Sequence, residues 1–456
     1  MFERLFHLQR HRTTVGREIL AGCATFAAMA YILAVNPAIL EAARMDKAAL
    51  VTVTGLTAAL ATLIMALLTN YPIALAPGMG INAFFAFTIC NAKNIAWQEA
   101  LGMVFINGVI FLVLSVTGVR KKIVDSIPLS LKLAVAGGIG LFIAFIGLQK
   151  GGLVVGSPDT LVRAGDFTSG PAALCLAGLA LTAILVARRV PGAIIIGMVA
   201  VTVAGLFVPA NNVDMVTMWP NSFLSKQETP LWGFITYGPP SPAPVFLKLS
   251  FDFLRNGTDF LSVLPIILTL LLVDLFDNLG TLIGLAKRTG MLDHKGRLPK
   301  VGKVLLADSI ATILSALCGT STVVSYIESA AGIEAGGRTG LTAITTAVLM
   351  LLALFFTPLI LAIPAAASAP ALIIVGVLMM QPVAEIHLAE FEVAVPAVLT
   401  MLAIPLTFSV SEGLGLGLIG AAILALALGK PRSVSLTGYI LAAIFFLNFF
   451  KIWPFG

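Results

Sequence analysis

The stretch "YPIALAPGMGINAFFAF", Tyr71–Phe87, is apolar enough for a membrane interior, yet Pro77, Gly78 and Gly80 interrupt any continuous helix. A second stretch, "CGTSTVVSYIESAAGIEAGG", Cys318–Gly337, has the same character. There Gly319 and the run Thr320–Val324, rich in β-branched residues, favour extended backbone, followed by a helical "ESAAGIEA". "GINAFF" and "YIESAA" occupy matching places, so Asn82 and Glu328 stand at the starts of two half-helices. Non-helical backbone at membrane depth is tolerated only inside protein or along a cavity. Two breaks in corresponding positions therefore point to a substrate site, and the positive ends of half-helices favour an acceptor or anionic group there.

The rest of the chain supports a membrane setting. Of 456 residues, 59% are hydrophobic and 11% charged, with a mean hydropathy of +1.02. Soluble domains carry about 25% charged residues, so the composition indicates an all-α polytopic membrane protein in contact with the lipid bilayer. The formal charge of +6 is small for this length and gives no indication of nucleic-acid binding. Cys23, Cys90, Cys175 and Cys318 lie in or beside apolar segments without metal-ligand spacing, and read as small packing residues. "MFERLFHLQRHRTTVGRE" is too polar and basic for a cleavable signal, and reads as a short cytoplasmic segment over residues 1–16.

Fourteen apolar segments follow, at 19–40, 48–69, 71–90, 98–118, 129–148, 171–187, 192–208, 259–286, 304–318, 320–335, 339–363, 369–380, 393–410 and 412–428. With the N-terminus inside, the basic groups Arg120–Lys122, Arg188–Arg189, Lys287–Lys303, Arg338 and Lys430 with Arg432 all fall on cytoplasmic connections. The one long connection, 209–258, divides the spans into seven (17–208) and seven (259–430). An odd number per half inverts one half relative to the other, the usual build of secondary transporters. Residues 431–456 form one further apolar segment, either a fifteenth span or a surface helix.

Acids inside apolar runs are the other signal, since a mid-bilayer carboxylate costs roughly 2.5 kcal/mol or more. Asp274 and Asp277 in "LLLVDLFDNLG" lie at i, i+3 on one helical face. Asp308 sits in the ninth span and Glu328 in the broken tenth. Such a cluster suits a proton-coupled transporter, and equally a sodium site of carboxylates and freed carbonyls. All four histidines fall outside the spans, which argues against a histidine relay.

"NYPIALAPGMGINAFFAF", "DLFDNLGTLIG" and "YIESAAGIEAGGRTGLTA", in this order and spacing, resemble the azaguanine-resistance-like purine permeases of the nucleobase–cation symporter-2 group. The resemblance extends over nearly the whole chain, including "TFAAMAYILAVNPAIL" and "PPSPAPVFLKL". It implies a seven-plus-seven inverted repeat in which spans 3 and 10 contain short antiparallel strands. A core domain (spans 1–4 and 8–11) would carry substrate against a gate domain (5–7 and 12–14), with a homodimer formed through gate helices. It further implies a protein of the plasma (inner) membrane that imports adenine, guanine or hypoxanthine with protons and has no enzyme activity. Matched position by position, the family's functional residues fall on Asn82, Asp274, Asp277, Asp308 and Glu328.

On this basis Glu328 and Asp274 are expected to hold opposite edges of a purine, because a carboxylate accepts parallel N–H bonds and charge-assisted bonds are the stronger kind. Asn82 would add an amide, and Phe84 or Tyr326 a ring contact. Asp277 and Asp308 are candidates for proton coupling or for bracing the broken spans. No metal or organic cofactor is expected. The alternatives are uracil, xanthine or an inorganic anion carried on the same fold, a channel, and an intramembrane aspartyl protease. The protease reading lacks a GxGD motif, and two aspartates three apart on one helix cannot flank a peptide bond.

Overall fold

Helix starts are marked by side chains that accept the orphan N–H groups of the first turn. Thr14 accepts from Arg17 N, Asp46 from Ala49 N, Ser409 from Glu412 N and Ser435 from Gly438 N. The computed structural model describes residues 2–117, 128–205, 207–208, 238–254, 257–289 and 299–450. Most of the 209–258 connection, including Trp219 and Trp232, and the basic residues 120–122 and 290–298 lie outside that set.

After a short helix Phe2–Phe6, the first half runs α1 (Val15–Met29), α2 (Ile32–Leu40), α3 (Lys47–Thr69), β1 (Leu75–Pro77) and α4 (Met79–Ala83). A π-helical segment, Phe84–Ala92, continues α4. Then come α5 (Trp97–Thr117), α6 (Leu129–Lys150), the hairpin β2 (Val154–Ser157) and β3 (Leu161–Ala164), α7 (Gly170–Ala187) and α8 (Ala193–Ala204). The second half runs α9 (Gly257–Thr289), α10 (Val301–Cys318), β4 (Val323–Ser325), α11 (Ser329–Glu334) and α12 (Gly340–Ala353). It ends with α13 (Ala365–Met379), α14 (Phe391–Thr407), α15 (Val410–Ala427) and α16 (Leu436–Phe449).

Among the described residues, nine helices are long and apolar enough to cross a membrane, with shorter apolar helices beside them. Their outward side chains, such as Leu67, Val113, Ile184, Leu402 and Leu426, are exposed and apolar, as a lipid-facing surface requires. The first segment, read as one span over 19–40, is a single candidate span, Val15–Ala43, with an irregular turn at Ala30–Tyr31 between α1 and α2. The terminal segment is a 14-residue helix, α16, that buries Phe445 and packs on α15.

The helices gather into two sets. α3 packs against α12 and α10, α12 against α1, and α10 along α5; separately, α6 packs against α13 and α14, and α7 against α8 and α13. The α5–α10 contact is close at Gly108, where a Cβ would lie 2.8 Å from Ile313 Cγ1 and 2.9 Å from its backbone nitrogen. Bonds also join the two sets. Lys150 Nζ donates to Ala38 O at 2.5 Å, at the end of α2, and Thr269 of α9 donates to Ser411 of α15 at 2.9 Å.

Two strands from opposite halves meet at the centre. β1 pairs antiparallel with β4 in the register Leu75↔Ser325, Ala76↔Val324, Pro77↔Val323. Gly78 N to Thr322 O (3.0 Å) and Tyr326 N to Ala74 O (2.9 Å) extend the ladder at both ends. Thr62 of α3 both donates to Leu75 O and accepts from Leu75 N, and Ser329 Oγ accepts from Ala74 N. Every residue of β1 and β4 is buried, so these bonds supply what water cannot.

Candidate functional site

Each strand is followed at once by a short helix, and the candidate residues sit at these junctions. α4 begins after Gly78 and carries Asn82 one turn in. α11 begins after Glu328, which occupies its N-cap position. α9, the helix of Asp274 and Asp277, packs against both β4 and α11, and so completes a third wall.

Among the described candidates, Glu328 keeps part of its surface exposed while the others are buried. One of its oxygens, Oε1, accepts a hydrogen bond from the Tyr31 hydroxyl at 2.5 Å. Tyr31 comes from the turn between α1 and α2 and is 1% exposed. The carboxylate is therefore held by the protein at Oε1, in a residue that is not fully buried overall.

Asn82 is differently placed. Its Nδ2 donates to Asn36 Oδ1, and its Oδ1 accepts from Ser321 Oγ. Asn36 in turn donates to Thr54 Oγ1 at 2.6 Å and Thr320 Oγ1 at 3.3 Å. Both ends of the Asn82 amide are thus engaged with protein, in a fully buried network that links α2, α3, α4 and the segment before β4. Phe84 is fully buried, and Tyr326 is 4% exposed with its hydroxyl donating to Pro77 O at 2.7 Å. Tyr326 therefore braces the strand crossing.

The acids of the second half divide as well. Asp274 is fully buried, and its Oδ2 accepts from Asn107 Nδ2 of α5 at 3.1 Å. Asp308 is fully buried on α10, the helix that packs along α5. The next residue, Ser309, exchanges a 3.1 Å hydroxyl bond with Ser115 of α5. Asp277 lies on α9, and its side chain is outside the described set. Asn278, one helical turn beyond Asp274, is buried with neither amide atom hydrogen-bonded among the described residues. Buried amides are nearly always paired, so Asn278 is a residue with binding capacity to spare.

Four partners were not singled out from sequence: Tyr31, Asn36, Asn107 and Glu18. Glu18 is fully buried in α1 and accepts from Arg338 N, Thr339 N, Thr339 Oγ1 (2.8 Å) and Thr342 Oγ1 (2.6 Å). It thereby ties the first helix to the start of α12. A polar residue inside an otherwise apolar run was the only available signal for Asn36 and Asn107. Chemically, the centre offers the Glu328 carboxylate, the buried Asp274 on the adjoining α9, and a dense set of hydroxyl and amide bonds that fix the surrounding backbone.

The Xan_ur_permease family model, described as a permease family, matches residues 16–416. The chain belongs to this permease family. It is 43% identical over 455 residues to guanine/hypoxanthine permease PbuG of Bacillus subtilis, with 97% of this chain and 98% of that protein covered. It is 38% identical to adenine permease AdeQ of Escherichia coli, with 98% and 95% covered. Among solved structures it resembles the transmembrane domain of the cyanobacterial bicarbonate transporter BicA. That match has a TM-score of 0.61 at 16% identity and covers 89% of this chain and 97% of that one. The fold is thus that of a helical, multi-pass membrane transporter, and the family is one of permeases rather than enzymes.

Proposed function

We propose that this permease is a secondary active transporter that imports purine nucleobases, among guanine, hypoxanthine and adenine, by proton symport across the plasma (inner) membrane. The observation that carries the reading is Glu328. It is a partly exposed carboxylate at the junction of β4 and α11, in a permease whose relatives are named for guanine, hypoxanthine and adenine. A purine is flat, nearly neutral and rich in N–H donors, and a carboxylate is a strong acceptor for them. One edge of the base would lie on Glu328, and the opposite edge on an aspartate of α9.

The hydrogen bond from Asn107 to Asp274 favours a role for Asp274 within the protein scaffold or the proton site, and Asp308 lies on α10, which packs along the α5 that carries Asn107. On that reading the α9 carboxylate for the base would be Asp277, three residues further on. Asn82 supports the site through Asn36 and Ser321, and Phe84 and Tyr326 would shape it by packing. Protonation within the cluster would relieve repulsion between carboxylates and so link proton binding to substrate binding.

The layout would be fourteen spans in two inverted sets of seven, with the N-terminus cytoplasmic. α1–α5 with α9–α12 would form a core that moves like an elevator against a gate of α6–α8 and α13–α15. The two packing sets of the fold support that division. A homodimer would form through gate helices.

One observation favours a second reading, an anion substrate, because the similar solved fold is a bicarbonate transporter. Against it stands the carboxylate of Glu328, which repels anions. Counterflow of labelled hypoxanthine in proteoliposomes, competed by each nucleobase and by bicarbonate, with and without a pH gradient, tests both. Exchange driven by purines and accelerated by the gradient supports the proposal; competition by bicarbonate alone overturns it.

A further inference from the structure

We infer that Tyr31 makes Glu328 a one-sided acceptor and so determines which purine edges the site can take. This inference rests on the reading that Glu328 faces the base. A carboxylate offers two oxygens and can receive two parallel N–H donors. In this protein the Tyr31 hydroxyl already donates to Oε1 at 2.5 Å. The ring that carries it is 1% exposed and belongs to the central apolar cluster. It also sits at the turn between α1 and α2, whose backbone is fixed by bonds from Leu33, Ala34 and Val35 back to Ala30 and Tyr31. The phenol is therefore a rigid part of the wall on the Oε1 side.

The phenol takes one acceptor position of Oε1 and, being rigid, crowds that oxygen, so a base approaches on the Oε2 side with one N–H in line. Hypoxanthine presents a single donor, N1–H, on its six-membered ring, and every purine presents a single N–H on its imidazole ring. Guanine also presents a double edge, N1–H beside the exocyclic amino group, which a carboxylate holds only when both oxygens are open. Tyr31 withholds that mode. It is a positioning residue for Glu328, and the specificity it confers is a preference for single-donor edges.

The test uses the purified full-length protein and equilibrium binding of labelled hypoxanthine and labelled guanine. Tyr31→Phe, which keeps the ring and removes the hydroxyl, should raise guanine affinity relative to hypoxanthine by roughly tenfold, the worth of one added hydrogen bond to a charged group. Tyr31→Met, which keeps apolar volume without the ring, should move the ratio the same way, and a melting curve for each variant verifies folding. A ratio that stays unchanged or reverses, or equal losses for both purines, overturns the inference and leaves Tyr31 a packing residue. Glu328→Gln separates the two levels of the argument. If that variant binds both purines at full affinity, the site reading itself fails and takes this inference with it. If it loses binding while Tyr31→Phe leaves the ratio unmoved, only the role of Tyr31 fails.

Discussion

The two strand–helix junctions are built alike and finished differently. On the first, β1 leads into α4, and the polar residue one turn in, Asn82, has both amide ends bonded to protein and no exposure. On the second, β4 leads into α11, and Glu328 gives one oxygen to Tyr31 and retains exposed surface. The same local architecture thus encloses its polar residue completely in one half and leaves it partly exposed in the other. A neutral amide can be fully consumed by neighbours of its own kind. A carboxylate in the same position keeps acceptor capacity after one donor is satisfied, and so attracts another.

Four experiments would break or sharpen this contrast. The largest effect is expected at the open junction: Glu328→Ala should lower purine uptake by more than about a hundredfold, the loss of a hydrogen-bonded charged contact, and should cost about 1 kcal/mol of stability through the stranded Tyr31 hydroxyl. Next is Gly319, which precedes β4 at φ +93°, where an added Cβ would run into the backbone oxygen of Val245. Gly319→Ala should cost about 3 kcal/mol through left-handed strain and overpacking, read as a lowered melting temperature in detergent.

At the closed junction, Asn82→Ala strands the Asn36 and Ser321 groups and should cost about 2 kcal/mol of stability. Its double mutant with Asn36→Ala should be less destabilised than the sum of the singles, by about 1 kcal/mol. If Asn82→Ala instead abolishes binding in a protein of unchanged stability, Asn82 is a ligand contact and the contrast between the junctions dissolves. The smallest effect belongs to Gly78, where a Cβ would lie 3.0 Å from Val324 Cγ2. Gly78→Ala should cost less than about 1 kcal/mol, because one valine can shift by the few tenths of an ångström required.

Charge and chain-breaking residues were legible from sequence because their cost in an apolar setting is large. Glu328 and Asp274 announced themselves that way, and Pro77, Gly78 and Gly319 marked backbone that is non-helical in the structure. The partners were hidden for the opposite reason. A tyrosine, asparagine or threonine within an apolar run carries too small a penalty to stand out, and its meaning depends on residues far away in sequence. Tyr31 meets Glu328 across 297 positions and Asn107 meets Asp274 across 167. The turn at Ala30–Tyr31 has no proline or glycine, so nothing local marked the irregularity that presents Tyr31 within the first span. Glu18 was read as part of a polar N-terminal stretch, because only its fully buried bonds to Thr339 and Thr342 give it a structural role.

The β1–β4 ladder also has a consequence for how the protein is made. The partners Leu75 and Ser325 belong to opposite halves of the chain. At translation rates of 5–20 residues per second, roughly 12 to 50 seconds separate the synthesis of the two strands. Throughout that interval the N–H and C=O groups of the first strand have no ladder to join, at a depth where bare backbone is costly. The nascent first half must therefore shelter them, in the insertion machinery or in a provisional helix, until the second half arrives. Final assembly of the strand crossing is then a late, whole-chain event, and variants that slow insertion of α9 or α10 should accumulate protease-sensitive first halves in the membrane.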